Sequence, residues 1–415
     1  MASTTMRPAA FAALSRLPRS VWLLGAVSLC NDSASELVYP LVPLYLAGVL
    51  GATPRVLGVV EGLAEATGAW LKLLSGALND RRPTARPWLL AGYGLAAMAR
   101  PLIGFARQWP TVALLRFADR LGKGLRTSPR DALLARLAPP DARGLAFGVH
   151  RAMDNAGAVI GPLLAAGALA LHWPLRTVIL WSAVPGLLTV LLAGAVREPQ
   201  LPPAATAPAS APTASTRGES PASPWRLRSL PVGFRRFLGA YALFTLGNAS
   251  SVFLLLRARE LGLPAAQVPL LWGWVSLVAM VLSTPLSALS DRLGRERLIL
   301  AGWLVYGACQ LALALLASSG ALLWLLFAGH GLHLAASEGA EKSLVADLVP
   351  PERLGAAYGW FNLTAGLLLF PASFLFGWLW QSAGVSTAFI GSALCAALGA
   401  ALLAAAMMRA RARDD

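Results

Sequence analysis

The chain holds 415 residues, of which 56% are hydrophobic and only 13% charged, whereas a soluble domain carries about a quarter charged residues. That balance excludes a water-soluble globular protein. The formal net charge of +15 would suit nucleic acid, but the basic residues fall between apolar stretches and form no single patch, so no nucleic-acid partner is expected.

Taken in chain order, residues 1–20 are basic and contain proline, and they run into an apolar stretch too long for a cleavable leader. The first span therefore reads as its own membrane address. Crossing the hydrocarbon takes about 20 largely apolar residues. Stretches of that kind predict spans at 21–49, 56–78, 88–106, 110–132, 145–171 and 174–196, then at 234–256, 266–289, 298–318, 321–346, 356–381 and 384–408. The expected organisation is an all-α membrane protein of twelve helices. Residues 1–196 form one six-helix unit, 197–232 a Pro/Ala/Ser-rich linker too poor in apolar residues to build a core, and 233–415 the second unit. With twelve spans, the even-numbered connections and both termini share one side, and most of the 35 Lys and Arg residues lie there. By the positive-inside rule both termini and the linker face the cytoplasm of a bacterial inner membrane. Cys30, Cys309 and Cys395 lie in apolar stretches with no C-x-x-C spacing, which predicts packing residues and neither disulfides nor zinc.

An ionisable group inside a span costs roughly 2.5 to 3.5 kcal/mol on insertion scales, so each needs a partner, a wet cavity or a function. The first half is rich in them. Asn31, Asp32 and Glu36 lie in span 1, Glu61, Glu65 and Lys72 in span 2, and Arg100 in span 3. Arg116, Asp119, Arg120 and Lys123 follow in span 4, then His150, Arg151 and Asp154 in span 5. The pairs 32/36 and 61/65 each share a helix face. Asp32 and Glu36 are the leading proton carriers, with Glu61, Glu65, Asp154 and Arg120 as further coupling candidates. Asn31, Arg100, Arg116, Lys123, His150 and Arg151 are candidates for a substrate cavity. The structural alternative is that such groups form buried ion pairs, such as Arg151 with Asp154 or Lys72 with Glu65.

The second half adds Asn248 in span 7 and His330, His333, Glu338, Glu341 and Lys342 in span 10. Asn248, His330, His333 and Glu338 join the cavity candidates, while Glu341 and Lys342 read as lying at the membrane interface near the cytoplasmic end. His330 and His333 are one turn apart and with Glu338 would suit a transition metal, but two histidines without a closed ligand set do not make a site. No metal or cofactor is expected. Trp272, Trp274, Trp360, Trp378 and Trp380 would stack on an amphipathic solute or anchor the spans at the interface.

The halves are related. An offset of 211 residues carries Asp80-Arg81 onto Asp291-Arg292, Arg86 onto Arg297, Pro139-Pro140-Asp141 onto Pro350-Pro351-Glu352, and Ala146-Phe147-Gly148 onto Ala357-Tyr358-Gly359. Such parallel duplication predicts two six-helix bundles with a site between them near the bilayer midplane. At the same offset Glu61, Glu65, Lys72 and Arg100 fall on Trp272, Ser276, Ser283 and Leu311. The architecture can thus be built without those charges, which points to coupling and charged-group recognition in the first half.

Three motifs resemble those of the major facilitator superfamily, and the resemblance covers nearly the whole chain. Gly76-Ala77-Leu78-Asn79-Asp80-Arg81 with Arg86 is similar to its loop signature, repeated at 287–297 with Ser287 for the glycine. Arg120-Leu121-Gly122-Lys123-Gly124 is similar to its Arg-x-x-Gln-Gly pattern, with Lys123 for Gln. Gly148, Gly157, Gly161 and Pro162 resemble its antiporter signature. The resemblance implies a pseudo-symmetric transporter fold. It implies that Asp80 latches the start of helix 11 near Gly355 and Asp291 the start of helix 5 near Gly144, favouring an outward-facing state. Gly76, Arg81, Arg86, Arg292 and Arg297 belong to the same latches, with a basic residue holding each loop to the facing half. The glycines of helix 5 would let two backbones touch, and Pro162 would permit a bend.

The function expected is alternating-access secondary transport. Proton antiport that exports a small polar or amphipathic solute leads. Proton-coupled uptake of a charged nutrient, organic anion or metal chelate is the alternative, with transition-metal efflux behind it. The expected partners are the solute, protons and the lipid bilayer, with the monomer as the working unit. No phosphate-binding loop, H-E-x-x-H or G-x-S-x-G occurs, which argues against ATP-driven pumping and against an intramembrane enzyme.

Overall fold

A computed structural model describes residues 14–51, 68, 70–81, 84–198, 227–248, 251–263, 267–316 and 320–414. Glu61 and Glu65 lie outside these residues, as does most of the linker. The helices are α1 (Arg19–Val38), α2 (Leu41–Gly48), α3 (70–81), α4 (Arg86–Leu102), α5 (Trp109–Leu137), α6 (Arg143–Ala170), α7 (Leu175–Trp181) and α8 (Ala183–Ala195) in the first half. The second half has α9 (Val232–Gly247), α10 (Val252–Glu260), α11 (Val268–Leu293), α12 (Arg295–Leu315), α13 (Ala321–Leu348), α14 (Leu354–Ala383) and α15 (Val385–Asp414). Seven helical segments among the described residues are each long and apolar enough to cross a bilayer. Met98, Leu163, Leu171, Leu315 and Leu325 turn outward, as an apolar surface in lipid requires.

Among the described residues three predicted spans are broken. Span 1 is two helices meeting at Tyr39-Pro40, where proline withholds an amide from the helical ladder. Span 6 bends at Ser182 between α7 and α8. Span 7 stops at Asn248, which leaves the helical region (φ −91°, ψ 71°). The Gly247 carbonyl beside that break accepts hydrogen bonds from Tyr306 Oη (2.9 Å) and Ser392 Oγ (2.5 Å). A side chain at Gly247 would meet Cys395 Cβ at 2.6 Å, so the close approach requires glycine. Spans 4 and 10 run further than their apolar stretches, to Leu137 and Leu348. Their charges point into the protein, so helix continues where hydropathy alone would end it.

Within the first bundle α1 packs on α6 and α8, and α4 on α5 and α8; within the second, α12 packs on α13 and α15, and α9 on α15 and α14. Gly157 and Gly161 let α6 lie directly on α1: a Cβ would stand 2.5 Å from the Leu29 carbonyl oxygen at the first and 2.7 Å from the Ser33 carbonyl oxygen at the second. Aromatic packing fills the second bundle, where Phe244 stacks on Trp303 at 4.5 Å. The bundles meet along α6 with α11 and α13, and along α5 with α14 and α13.

Candidate functional site: a charged cavity behind two latches

The two loop carboxylates sit in matching positions. Asp80 accepts the amides of Gly355 (2.7 Å) and Ala356 (2.6 Å) at the start of α14. Asp291 accepts those of Gly144 and Leu145 at the start of α6, each at 2.9 Å. Each carboxylate occupies the positive end of a helix in the opposite bundle, where backbone N–H groups have no intrahelical partner. Burial pushes the Asp80 carboxyl up to about 6, against the pull of the two amides and Arg136. At neutral pH it is therefore still the ionised acceptor that two amides require. Close packing backs each latch: a Cβ on Gly76 would stand 2.1 Å from the Gly355 carbonyl oxygen, and one on Gly144 2.2 Å from that of Ser287.

The basic residues of the motif do not reach across as expected. Arg86 bonds the Gly194 carbonyl (2.8 Å) and Glu198 of its own bundle, while Arg81, Arg292 and Arg297 are exposed. The crossing is made from helix ends instead. Arg136 reaches Asp80 (3.5 Å) and the Pro351 carbonyl (3.4 Å), and Arg143 reaches Asp347 (2.7 Å). Ser287, standing where the first copy has Gly76, is accommodated because Gly148 and Gly339 face it.

Above the latched end lies a cavity of about 260 Å³ between the bundles. The first bundle lines it with Asn31, Asp32, Lys72, Lys123, Arg126, Thr127, Arg130, Arg151 and Asp154. The second supplies Tyr241, Glu338, Glu341, Lys342, Phe361, Asn362 and Ala365. Asp32 accepts from Asn31 Nδ2 (2.7 Å), and Asp154 from Ser28 Oγ (2.5 Å) and Arg151 Nη1 (2.6 Å). The Asp32 and Asp154 side chains are neighbours on the cavity wall. Tyr241 and Phe361 stack at 4.4 Å and form the aromatic part of the wall.

Several sequence candidates stand behind this wall. Arg100 and Arg116 are buried in the first bundle around Asp119, at 2.9 and 3.8 Å. Arg100 also donates to Asn31 Oδ1 (3.0 Å), which receives Arg126 Nη2 at 3.2 Å. Arg120 is buried and Glu36 half-buried, both outside the lining. His150 is fully buried, with neither ring nitrogen hydrogen-bonded. His330 and His333 pack among Trp272 and Tyr306 inside the second bundle, and Asn248 marks the α9 break. Glu338 is bound to Arg151 and does not join the histidines; among the described residues no group of three metal-ligating side chains forms. Trp274 and Trp378 face outward, and none of the five tryptophans lines the cavity.

Glu341 and Lys342 require a correction. They are buried, not interfacial: Glu341 accepts from Trp303 Nε1 (2.8 Å), and Lys342 Nζ pairs with Asp131 at 2.8 Å. Sequence reasoning also missed Arg126, Arg130 and Asp131, because the predicted span ended at 132 and left them at its rim. The repeat offset held the signal, since it places Asp131 on Lys342 and Arg151 on Asn362.

A family model for the Major Facilitator Superfamily matches residues 24–256 and 237–415. The chain belongs to this superfamily. It is a multi-pass membrane transporter with twelve transmembrane helices in two pseudo-symmetric bundles. An uncharacterised MFS-type transporter of Methanocaldococcus jannaschii is 32% identical over 394 residues, 93% of this chain and 95% of that one. The multidrug resistance protein MdtH of an Enterobacter species is 27% identical over 354 residues, 83% of this chain and 82% of that one. Among solved structures, the human organic anion transporter MFSD10 superposes with TM-score 0.76 at 19% identity, covering 93% of this chain and 99% of that one. A bacterial homologue of the iron transporter ferroportin superposes with TM-score 0.73 at 18% identity, covering 94% and 100%. At these identities the structures speak for the fold alone.

Proposed function

We propose that the protein is a proton-coupled antiporter of the bacterial inner membrane that exports a small polar or amphipathic solute. Units 1–196 and 233–415 would rock about the cavity, joined by the 197–232 linker, with both termini cytoplasmic and the monomer as the working unit. The observation that carries this reading is the charged cavity with Asp32 and Asp154 as facing carboxyls, closed at one end by two matched latches. Facing carboxyls can hold one proton between them, and a cavity that alternates its access lets such a proton load on one side and leave on the other. Placing the latched end at the cytoplasm makes this state the outward-facing one. Similarity to MdtH supports export, and the predominance of charged groups in the lining favours a hydrophilic solute over a lipophilic one.

A second reading is uptake of an organic anion, favoured by Lys123, which is exposed among the lining residues, and by Arg126 beside it. Purified protein in liposomes with a trapped pH dye separates the two. Under the antiport reading one class among antimicrobials, organic acids and metal chelates releases protons, and Asp32→Asn abolishes the signal while counterflow of labelled solute persists. If Asp32→Asn and Glu36→Gln both leave proton flux unchanged, the coupling assignment is wrong. In cells, deletion raises sensitivity to an exported solute but abolishes growth on an imported one.

A further inference from the structure

Four charged groups join the bundles at the cavity floor in two bridges of opposite polarity. In the first, Arg151 of α6 donates through Nε to Glu338 of α13 (2.6 Å) and through Nη1 to Asp154 of its own helix (2.6 Å). In the second, Lys342 of α13 pairs with Asp131 of α5 (2.8 Å), and Asp131 also accepts Arg130 Nη2 (3.0 Å) from its own bundle. Asp131 and Lys342 are images of one another under the repeat. A residue and its image touch only near the axis relating the two halves, so this pair lies at the central seam between the bundles.

The partners are distributed unequally. If the bundles part at the latched end, Arg151 keeps Asp154 and Asp131 keeps Arg130. Glu338 and Lys342 lose the only ion-pair partners they have among the described residues. A charge stranded in a half-dry cavity is strongly unfavourable. Yet the two are four residues apart on α13, on one helix face, with the carboxylate N-terminal to the ammonium, which is the favourable order for such a pair.

We propose that the floor opens by partner exchange: Glu338 and Lys342 give up Arg151 and Asp131 and pair with each other. Every charge then has a partner in both states, and these groups need not gain or lose a proton. The inference rests on the alternating-access reading above, and within it places the coupling proton on Asp32, so that Asp154 stays ionised as the partner of Arg151.

The test uses the full chain with Cys30, Cys309 and Cys395 replaced by serine, an Ala365→Cys reporter on the cavity wall, and Asp80→Asn to make opening frequent. Inside-out vesicles are labelled with a membrane-impermeant maleimide, and the labelling rate reads opening of the floor. Asp131→Lys alone breaks a bridge and raises the rate. Adding Lys342→Asp restores the bridge with reversed polarity, but after parting it leaves two cations at 130 and 131 and two carboxylates at 338 and 342. The double variant is therefore expected to label at least ten-fold more slowly than the parent. Arg151→Glu with Glu338→Arg reverses the other bridge, after parting leaves two carboxylates at 151 and 154 and two cations at 338 and 342, and is expected to do likewise. Labelling from right-side-out vesicles is expected at or above the parent rate and shows that each variant is folded. Double variants that return to the parent rate or exceed it overturn partner exchange and leave two ordinary bridges. A parent that labels from right-side-out vesicles but never from inside-out ones overturns alternating access itself, which is a separate failure.

Discussion

Asn31 shows how much one side chain organises. Its oxygen accepts both Arg100 and Arg126, and its nitrogen donates to Asp32, so the proposed proton carrier is held by a residue that two guanidinium groups orient. Leaving a buried donor without its partner costs about 1 to 3 kcal/mol, and more where the donor is charged. Asn31→Ala is therefore expected to lower the thermal midpoint of the detergent-solubilised protein, whereas Asp32→Asn leaves it within a degree or two. Equal midpoints for Asn31→Ala and the parent would show that Arg100 and Arg126 find other acceptors at no cost. The acids Asp32 and Asp154 were legible in the sequence because a carboxyl in an apolar run announces itself. Their division of partners was not: Asn31 and Arg151 are sequence neighbours of the acids they bind, but Ser28 reaches Asp154 from another helix.

At the scale of elements, the latches make the sharpest predictions. Gly355→Ala puts a methyl group 2.2 Å from the Gly76 carbonyl oxygen and into the Asp80 carboxylate. It should hold the ends of α3 and α14 apart and cut solute flux at least ten-fold while the protein stays folded. Asp80→Asn should impair cycling with folding intact, because a carboxamide turns an N–H toward one of the two amides that the carboxylate accepts. A normal turnover rate in a purified Asp80→Asn variant would refute the latch. Arg136→Ala removes a bond to Asp80 and one to the Pro351 carbonyl, so it should weaken the same closure more mildly, by a few-fold in reporter labelling. The motif revealed Asp80 and Asp291, but it named Arg86 for the crossing that Arg136 and Arg143 make. A loop motif specifies the turn, whereas the residue that reaches across depends on how far α5 runs past its apolar stretch.

For the whole molecule, duplication is the organising fact. Each copy alone would expose a charged face to lipid, and together they enclose it. The same duplication sets charge against charge at the seam between the bundles, as Asp131 against Lys342.

The sequence by itself determined the membrane class, the number and order of spans, the twofold repeat and the two latch carboxylates. Those properties live in apolar run length, in a fixed offset and in local motifs, all of which are written along the chain. Only the tertiary structure decided which charges face the cavity and which are locked behind it, as Arg100, Arg116 and His150 are. It also moved Glu341 and Lys342 from the interface to the floor and broke three spans at Pro40, Ser182 and Asn248. Facing and pairing depend on how helices rotate against one another, and a rotation of one residue, about 100°, turns a cavity-lining charge into a buried one without altering composition or hydropathy.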